Sequence, residues 1–508
     1  MKLFKTLNVV LSTALEYTLL LPWYLSMIFH YYIVQYFKPY YLRNIHYGEH
    51  ERNDVNIYYH DGNVVGNHDS HDDDDHFNTL RNNIRTTSLQ KSNNTSCLKV
   101  LLFIHGGAWN SGDKLLYHNL GCTLRNYLQD HVIVICNYRK YSKRKISTSN
   151  SDMNNKNNHK NNTTSNNHKN NTTSNNGNST TSNNNTTNQM DSTSDHYQLN
   201  RFNENYYYIE DQLQDVETCI EWIHKEFIHH YHQHSNHQHS NHQHSNHQDS
   251  HHQHSNHHRH SHQSSNTSIP IIDLSICGHS SGAHLSITNL VKKPKLAQLV
   301  NRVILLACVY DLEKQYQREV ERGVENLSGL YRVMRGDLKQ FSPYHMLQSQ
   351  TLESKNELNL TISEESGHDT VATSSSSTAE ISKTGHPTNI TTKCSHHSLL
   401  HTLYEHNPNI QFHIVNGGQD TTVYPEYGNE FISMVTKTSS CEHCNTKIPS
   451  PQLFHVKHFE NFNHADFVKL LMGIHSNRKE CLEKKQQLLS FLKYEVLGYT
   501  KKKKAQSE

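Results

Sequence analysis

The sequence predicts an α/β fold, a mostly parallel sheet flanked by helices, with its chemistry at the strand ends. Three observations predict it. Short apolar runs alternate with a stretch of helical periodicity, as in parallel sheets covered on both faces. One run, residues 269–277, passes straight into Gly278-His279-Ser280-Ser281-Gly282 and a small-residue segment that reads as a helix. Another, residues 100–104, passes into His105-Gly106-Gly107-Ala108-Trp109.

Taken in order, the chain opens on residues 7–37, apolar or aromatic almost throughout, with Glu16 the only Asp, Glu, Lys or Arg. About 20 such residues span a bilayer, and Trp23, Tyr24, Phe29, Tyr31 and Tyr32 resemble an interfacial aromatic belt. Residues 1–44 are therefore expected to form a membrane anchor, with membrane lipid as a partner, and Pro22 as a place for it to kink. Lys2 and Lys5 on one flank balance Lys38 and Arg43 on the other, so charge does not set its orientation.

The strand 100–104 delivers an HGGG-type turn. Glycines there let backbone N–H groups face a developing oxyanion, each donor being worth roughly 3 to 4 kcal/mol. Gly106, Gly107 and, from the second motif, Ser281 are the candidate donors. Strand 132–138 follows. Residues 209–227 then place Leu213, Val216, Ile220 and Ile223 at helical spacing, which predicts a helix packed on the core.

Run 269–277 enters a G-x-S-x-G nucleophile elbow. Small residues must flank the serine because the chain turns sharply from strand to helix, and the turn lifts Oγ clear of the sheet. With only 20 glycines in 508 residues, the motif is unlike its surroundings, and Ser280 is the candidate nucleophile. Strand 303–308 comes next. Run 410–415 ends in Asn416-Gly417-Gly418-Gln419-Asp420, which places an acid just past a strand. Strand 452–456 precedes Asn463-His464-Ala465-Asp466-Phe467, which places a histidine before a helix.

The order Ser280, Asp420, His464 is that of the α/β-hydrolase fold, distinct from the two protease orders. In that arrangement the histidine takes the serine proton and the aspartate fixes the imidazole tautomer. Among 45 histidines, position selects His464 over His455, His458 and His475. Glu426 is the nearest substitute for Asp420, and Asp466 falls on the wrong side of the histidine.

A length of 508 residues would suggest several domains, but polar tracts at 61–96, 142–205, 229–268 and 348–396 lack the apolar content to offset chain entropy. Removing them leaves roughly 250 to 280 residues, one domain of ordinary size over 45–498. Residues 499–508 form a basic tail carrying Lys501 to Lys504. The tract 229–262 repeats His-Gln-His-Ser-Asn from His232, His237 and His242. It reads as a repeat expansion, without the Cys or carboxylate set of a metal site. Of ten cysteines, Cys136, Cys277 and Cys308 read as buried hydrophobes, and Cys441-x-x-Cys444 has no partner pair. No metal or other cofactor is expected. A net charge of +1 gives no nucleic-acid signature.

These residues resemble the isoprenylcysteine methylesterase family, within the esterase group that also holds kynurenine formamidase. The likeness rests on Gly106-Gly107-Ala108-Trp109, Asn137-Tyr138-Arg139, Gly278 to His284 and Tyr310-Asp311-Leu312. Its most family-specific stretch is Gly329-Leu330-Tyr331-Arg332, Gly336-Asp337 and Phe341-Ser342-Pro343. The resemblance implies a serine esterase hydrolysing the methyl ester of a C-terminal prenylated cysteine, whether small molecule or peptide. Its Ser, Asp and His fall on Ser280, Asp420 and His464, and with the anchor it implies an endoplasmic reticulum or Golgi membrane. His279 stands where the family often has glutamine. An arylformamidase in the same fold is the second reading, and a non-catalytic membrane scaffold is the third.

Overall fold

In a computed structural model of the chain, the apolar runs become strands of one eight-stranded sheet. The structure describes residues 7, 11, 18, 21–22, 25–34, 41–60, 97–144, 205–241, 271–325, 329–348, 399–438, 440–441, 446–447, 453–474 and 478–500. The strands are β1 (Tyr41–His46), β2 (Asp54–Tyr58), β3 (Cys97–Ile104), β4 (His131–Cys136), β5 (Ile271–His279), β6 (Arg302–Leu306), β7 (Gln411–Gly417) and β8 (Phe454–Phe459). Their spatial order is β1-β2-β4-β3-β5-β6-β7-β8. β2 pairs antiparallel with β1 and β4, and every other pair is parallel. This is the mostly parallel sheet flanked by helices that the sequence predicts.

Period-two alternation sorts each strand between two cores. Val100, Leu102 and Ile104 of β3 join one, and Leu101 and Phe103 the other. Val132, Val134 and Cys136 of β4 face with the first set, Ile133 and Ile135 with the second. Because both faces are covered, the strands read as continuous apolar runs. The first core is closed by α2 (Ile209–Asn241) and α3 (Ser281–Lys292), the second by α1 (His118–Tyr127), α7 (Asp466–Met472) and α8 (Lys479–Ser490). Between α3 and α7 come α4 (Leu312–Arg322), α5 (Leu399–His406) and α6 (Pro425–Thr438).

Helix α2 buries Ile209, Leu213, Val216, Ile220, Ile223 and Phe227, the periodicity read from the sequence. It runs on to Asn241, into the histidine tract, since extending a formed helix is far easier than starting one. Asp311 caps α4, accepting from the backbone of Glu313 and Lys314, and the Ser342 hydroxyl bridges the Tyr310 carbonyl and the Leu312 N–H. Two of the family-like segments are thereby joined structurally.

The membrane location through a single N-terminal anchor is corrected: among the described residues no helix is long and apolar enough to cross a membrane. The physical reason lies in where its aromatic end goes. Met27 and Tyr31 are buried. The Tyr41 hydroxyl donates to the Tyr31 carbonyl at 2.9 Å, and the Tyr31 ring meets His118 edge-on at 5.1 Å. Tyr41, expected within the anchor, begins strand β1 instead. Leu21, Leu25, Phe29 and Tyr32 stay exposed.

Tracts 61–96 and Lys501 to Lys504 lie outside the described residues, as do 348–396 beyond its first residue and 229–268 beyond Asn241. Residues Lys143–Tyr206 form a separate unit, described only at its ends, where Lys143 and Tyr206 make an antiparallel bridge.

Behind the loop that follows Trp109, Lys114 is ion-paired with Asp54. Asn137 donates to the same carboxylate at 2.9 Å and accepts from the Lys114 backbone at 2.7 Å. All three residues are buried. Asp54→Ala therefore strands an ammonium and should cost about 3 to 5 kcal/mol in urea denaturation, part of which Lys114→Met restores in the same background. Equal losses in the single and double variants would show that the buried charge is not the source.

Candidate active site

Strand β5 ends at His279 and helix α3 begins at Ser281, leaving Ser280 alone in the turn with φ 53° and ψ −121°. A positive φ on a non-glycine residue costs on the order of 1 to 3 kcal/mol. Neighbouring backbone holds it there: the Ser280 N–H donates to the Leu306 carbonyl at 2.9 Å, and its carbonyl accepts from His284 N–H at 3.0 Å. α3 can lean this closely on β3 because residue 282 has no side chain; a Cβ there would sit 2.2 Å from the Ile104 carbonyl oxygen. Ser280 is half-buried and Ser281 fully buried, so only the former can meet a substrate.

Past the end of β7, the Asp420 N–H donates to the Gly417 carbonyl. Asp420 Oδ1 accepts from the backbone N–H groups of Thr422 and Val423 at 2.8 and 2.9 Å, and Oδ2 lies 2.8 Å from His464 Nδ1. A carboxylate can only accept here, so the neutral imidazole carries its proton on Nδ1 and presents Nε2 as a base. The side chains are 1% exposed at Asp420 and 17% at His464, a shielded acid beside a reachable base. Asn463 Oδ1 accepts from the backbone of Ala465 and Asp466, stiffening the loop that carries His464.

The alternatives do not converge on this pair. Asp466 accepts from the Asn463 N–H at the start of α7, and Glu426 is exposed in the first turn of α6. His455 and His458 lie on β8, where His455 stacks on His413. His475 lies outside the described residues.

Of the candidate donors, Gly106 and Ser281 flank Ser280: a Cβ on Gly106 would approach Ser280 Cβ to 3.2 Å, and Ser281 follows it in the chain. Gly107 lies one residue on, against the Ser111 backbone. Gly107, Ala108 and Trp109 all have positive φ, so this loop must be braced. Trp109 Nε1–H donates to His284 Nδ1 at 3.2 Å, and His284 Nε2 meets the Phe341 carbonyl at 2.8 Å. The Tyr138 ring stacks on His105 at 4.5 Å while its hydroxyl donates to the His105 carbonyl. Sequence reasoning missed His284 and Tyr138 as braces. The one available signal was a histidine a helical turn past Ser280 on an otherwise small or apolar face.

No protein-family profile matches the sequence, and none of the curated proteins does. Among solved structures, esterase B from Lactobacillus rhamnosis is similar at 11% identity and TM-score 0.36, over 89% of this chain and 84% of that one. Esterase 2 from Thermogutta terrifontis is similar at 12% identity and TM-score 0.36, over 90% and 96%. A putative thioesterase from a Silicibacter species gives 9% identity and TM-score 0.36, over 90% and 89%. At such scores these likenesses decide nothing about this chain, whose fold rests on its own strand order and register.

Among the described residues no group of three or more His, Cys, Asp or Glu could hold a metal ion. The buried Cys277 and Cys308 thiols are pushed up by burial, which leaves them unreactive.

Burial holds three histidines around the elbow neutral, pushing His105 and His284 down to about 4 and His279 to about 3. All are depressed below the ordinary 6.5. The unfolded chain therefore binds more protons than the folded one between about pH 6.5 and pH 4. Stability is fully present above that window and is lost as pH falls through it, by about 1.4 kcal/mol per pH unit for each proton taken up. Urea midpoints should hold above about pH 6.5 and fall steeply from there to about pH 4. A flat midpoint would mean that these rings are charged or hydrated in the fold.

Proposed function

We propose that the protein is a serine carboxylic ester hydrolase working through Ser280, His464 and Asp420. The observation that carries this reading is the 2.8 Å bond between a shielded Asp420 carboxylate and His464 Nδ1, on loops that follow β7 and β8 in the sheet whose β5 ends at the strained Ser280 turn. Ser280 Oγ attacks the ester carbonyl while His464 Nε2 takes its proton. The backbone N–H groups of Gly106, Gly107 and Ser281 stabilise the resulting oxyanion. Collapse expels the alcohol, protonated by His464, and leaves an acyl-enzyme. Water, deprotonated by the same imidazole, attacks that acyl carbon, releasing the acid and restoring Ser280.

For the substrate we propose the methyl ester of a C-terminal prenylated cysteine, hydrolysed to the free acid and methanol. Support comes from the family-like segments: Tyr138 bonds the His105 carbonyl, Phe341 is bonded by His284, and Ser342 ties that stretch to Tyr310 to Leu312. The His-Gly-Gly-x-Trp turn equally suits an arylformamidase, so the test includes its substrate. The purified full chain is assayed on a prenylcysteine methyl ester, short p-nitrophenyl esters and N-formylkynurenine. The prenylcysteine ester should give the highest kcat/KM, with kcat falling more than about a thousandfold in Ser280→Ala. Preference for the formamide would move the assignment to arylformamidase. Turnover of none of them would remove the hydrolase reading.

A further inference from the structure

We propose that His279 is a positioning residue: its Nε2–H donates to the backbone carbonyl of His464 and so sets where the His464 imidazole stands relative to Ser280. This rests on the reading of Ser280, His464 and Asp420 as the reacting set. The nitrogen lies 2.9 Å from that carbonyl oxygen, and the two rings are 5.0 Å apart. His279 is the last residue of β5 and immediately precedes Ser280, so the tether runs from the nucleophile's own strand to the base's own backbone.

A carbonyl can only accept, which puts the proton on Nε2 and leaves Nδ1 a bare acceptor. That Nδ1 is buried with no hydrogen-bond partner among the protein atoms. It faces Gly106, where a Cβ would come within 2.9 Å of it. The imidazole therefore fills the gap between the oxyanion loop and the base loop, and it is one reason residue 106 must lack a side chain.

Stability does not account for this histidine. A buried polar atom left unpaired costs about 1 to 3 kcal/mol, and burial, with His464 beside it, keeps the ring uncharged. An apolar residue of similar volume would avoid both costs but could not donate to the His464 carbonyl. The Asp420 bond alone leaves the imidazole able to pivot about the line from Oδ2 to Nδ1. A second attachment, on the backbone, removes that pivot. Misplacement of a reacting group by about 1 Å can lower a rate on the order of a hundredfold.

The test compares His279→Met, which keeps length without a donor, with His279→Gln, which keeps a terminal N–H. Both are made in the full chain and checked by near-ultraviolet circular dichroism. His279→Met should lower kcat by about 10- to 100-fold with KM within about twofold, and His279→Gln should recover most of it. In the parent protein, a long-range proton–nitrogen spectrum of the imidazoles should show His279 neutral and protonated on Nε2. Parental kcat in His279→Met, equal losses in both variants, or a proton on Nδ1 would each overturn the proposal. If neither variant folds, the tautomer decides alone. Ser280→Ala keeps the two readings separable: activity surviving it would remove the catalytic assignment, while the tautomer would still report on the tether.

Discussion

The structure depends on one strained residue. Ser280 sits at positive φ where a parallel strand turns directly into a helix, and it is held there because α3 lies almost against the backbone of β3. That close approach fixes Gly282, the small residues that open α3, and the placing of Gly106 beside the serine. It also ties the elbow to its other neighbour strand, through the Ser280 N–H and the Leu306 carbonyl on β6. Strain of a few kcal/mol persists only where surrounding structure over-determines it, and here β3, β5, β6 and α3 all meet.

Around this turn the protein uses neutral buried imidazoles where a stability-optimised core would use apolar side chains. His284 links the Trp109 loop to Phe341, and His105 stacks against Tyr138 while bonding the Gly106 carbonyl. Each is depressed in pKa by burial, so each behaves as a fixed dipole through the neutral range. His279, which feels the Asp420 carboxylate, is likewise held neutral by burial. Asp420 itself bonds His464 Nδ1 and two backbone N–H groups.

The candidate site was legible in the sequence because turn geometry dictates residue type locally: a nucleophile elbow needs Gly278 and Gly282, and position past a strand end, together with chain order, singles out Asp420 and His464 as the pair found 2.8 Å apart. The parallel strands were legible because burial on both faces makes them continuous apolar runs. β1 and β2 were not, since Tyr41 and Leu42 merge into the apolar N-terminal run and Asp54-Val55-Asn56 mixes polar with apolar. At the described end of that run the anchor reading failed, because composition cannot tell an aromatic ring that faces lipid from one, like Tyr31, packed on Tyr41 and His118. The extension of α2 to Asn241 escaped notice because its sequence there has no amphipathic period. The braces His279, His284 and Tyr138 act through contacts 33 to 185 residues distant in the chain, which no local pattern encodes.

The central claim is that Ser280, made nucleophilic by His464 and Asp420, is the reacting group. It is tested most directly by treating the full chain with a fluorophosphonate, digesting it, and locating the adduct by mass spectrometry. The account predicts a single adduct on Ser280, absent from Ser280→Ala and formed much more slowly in His464→Ala. An adduct on the buried Ser281 or elsewhere, or undiminished labelling in Ser280→Ala, would contradict it.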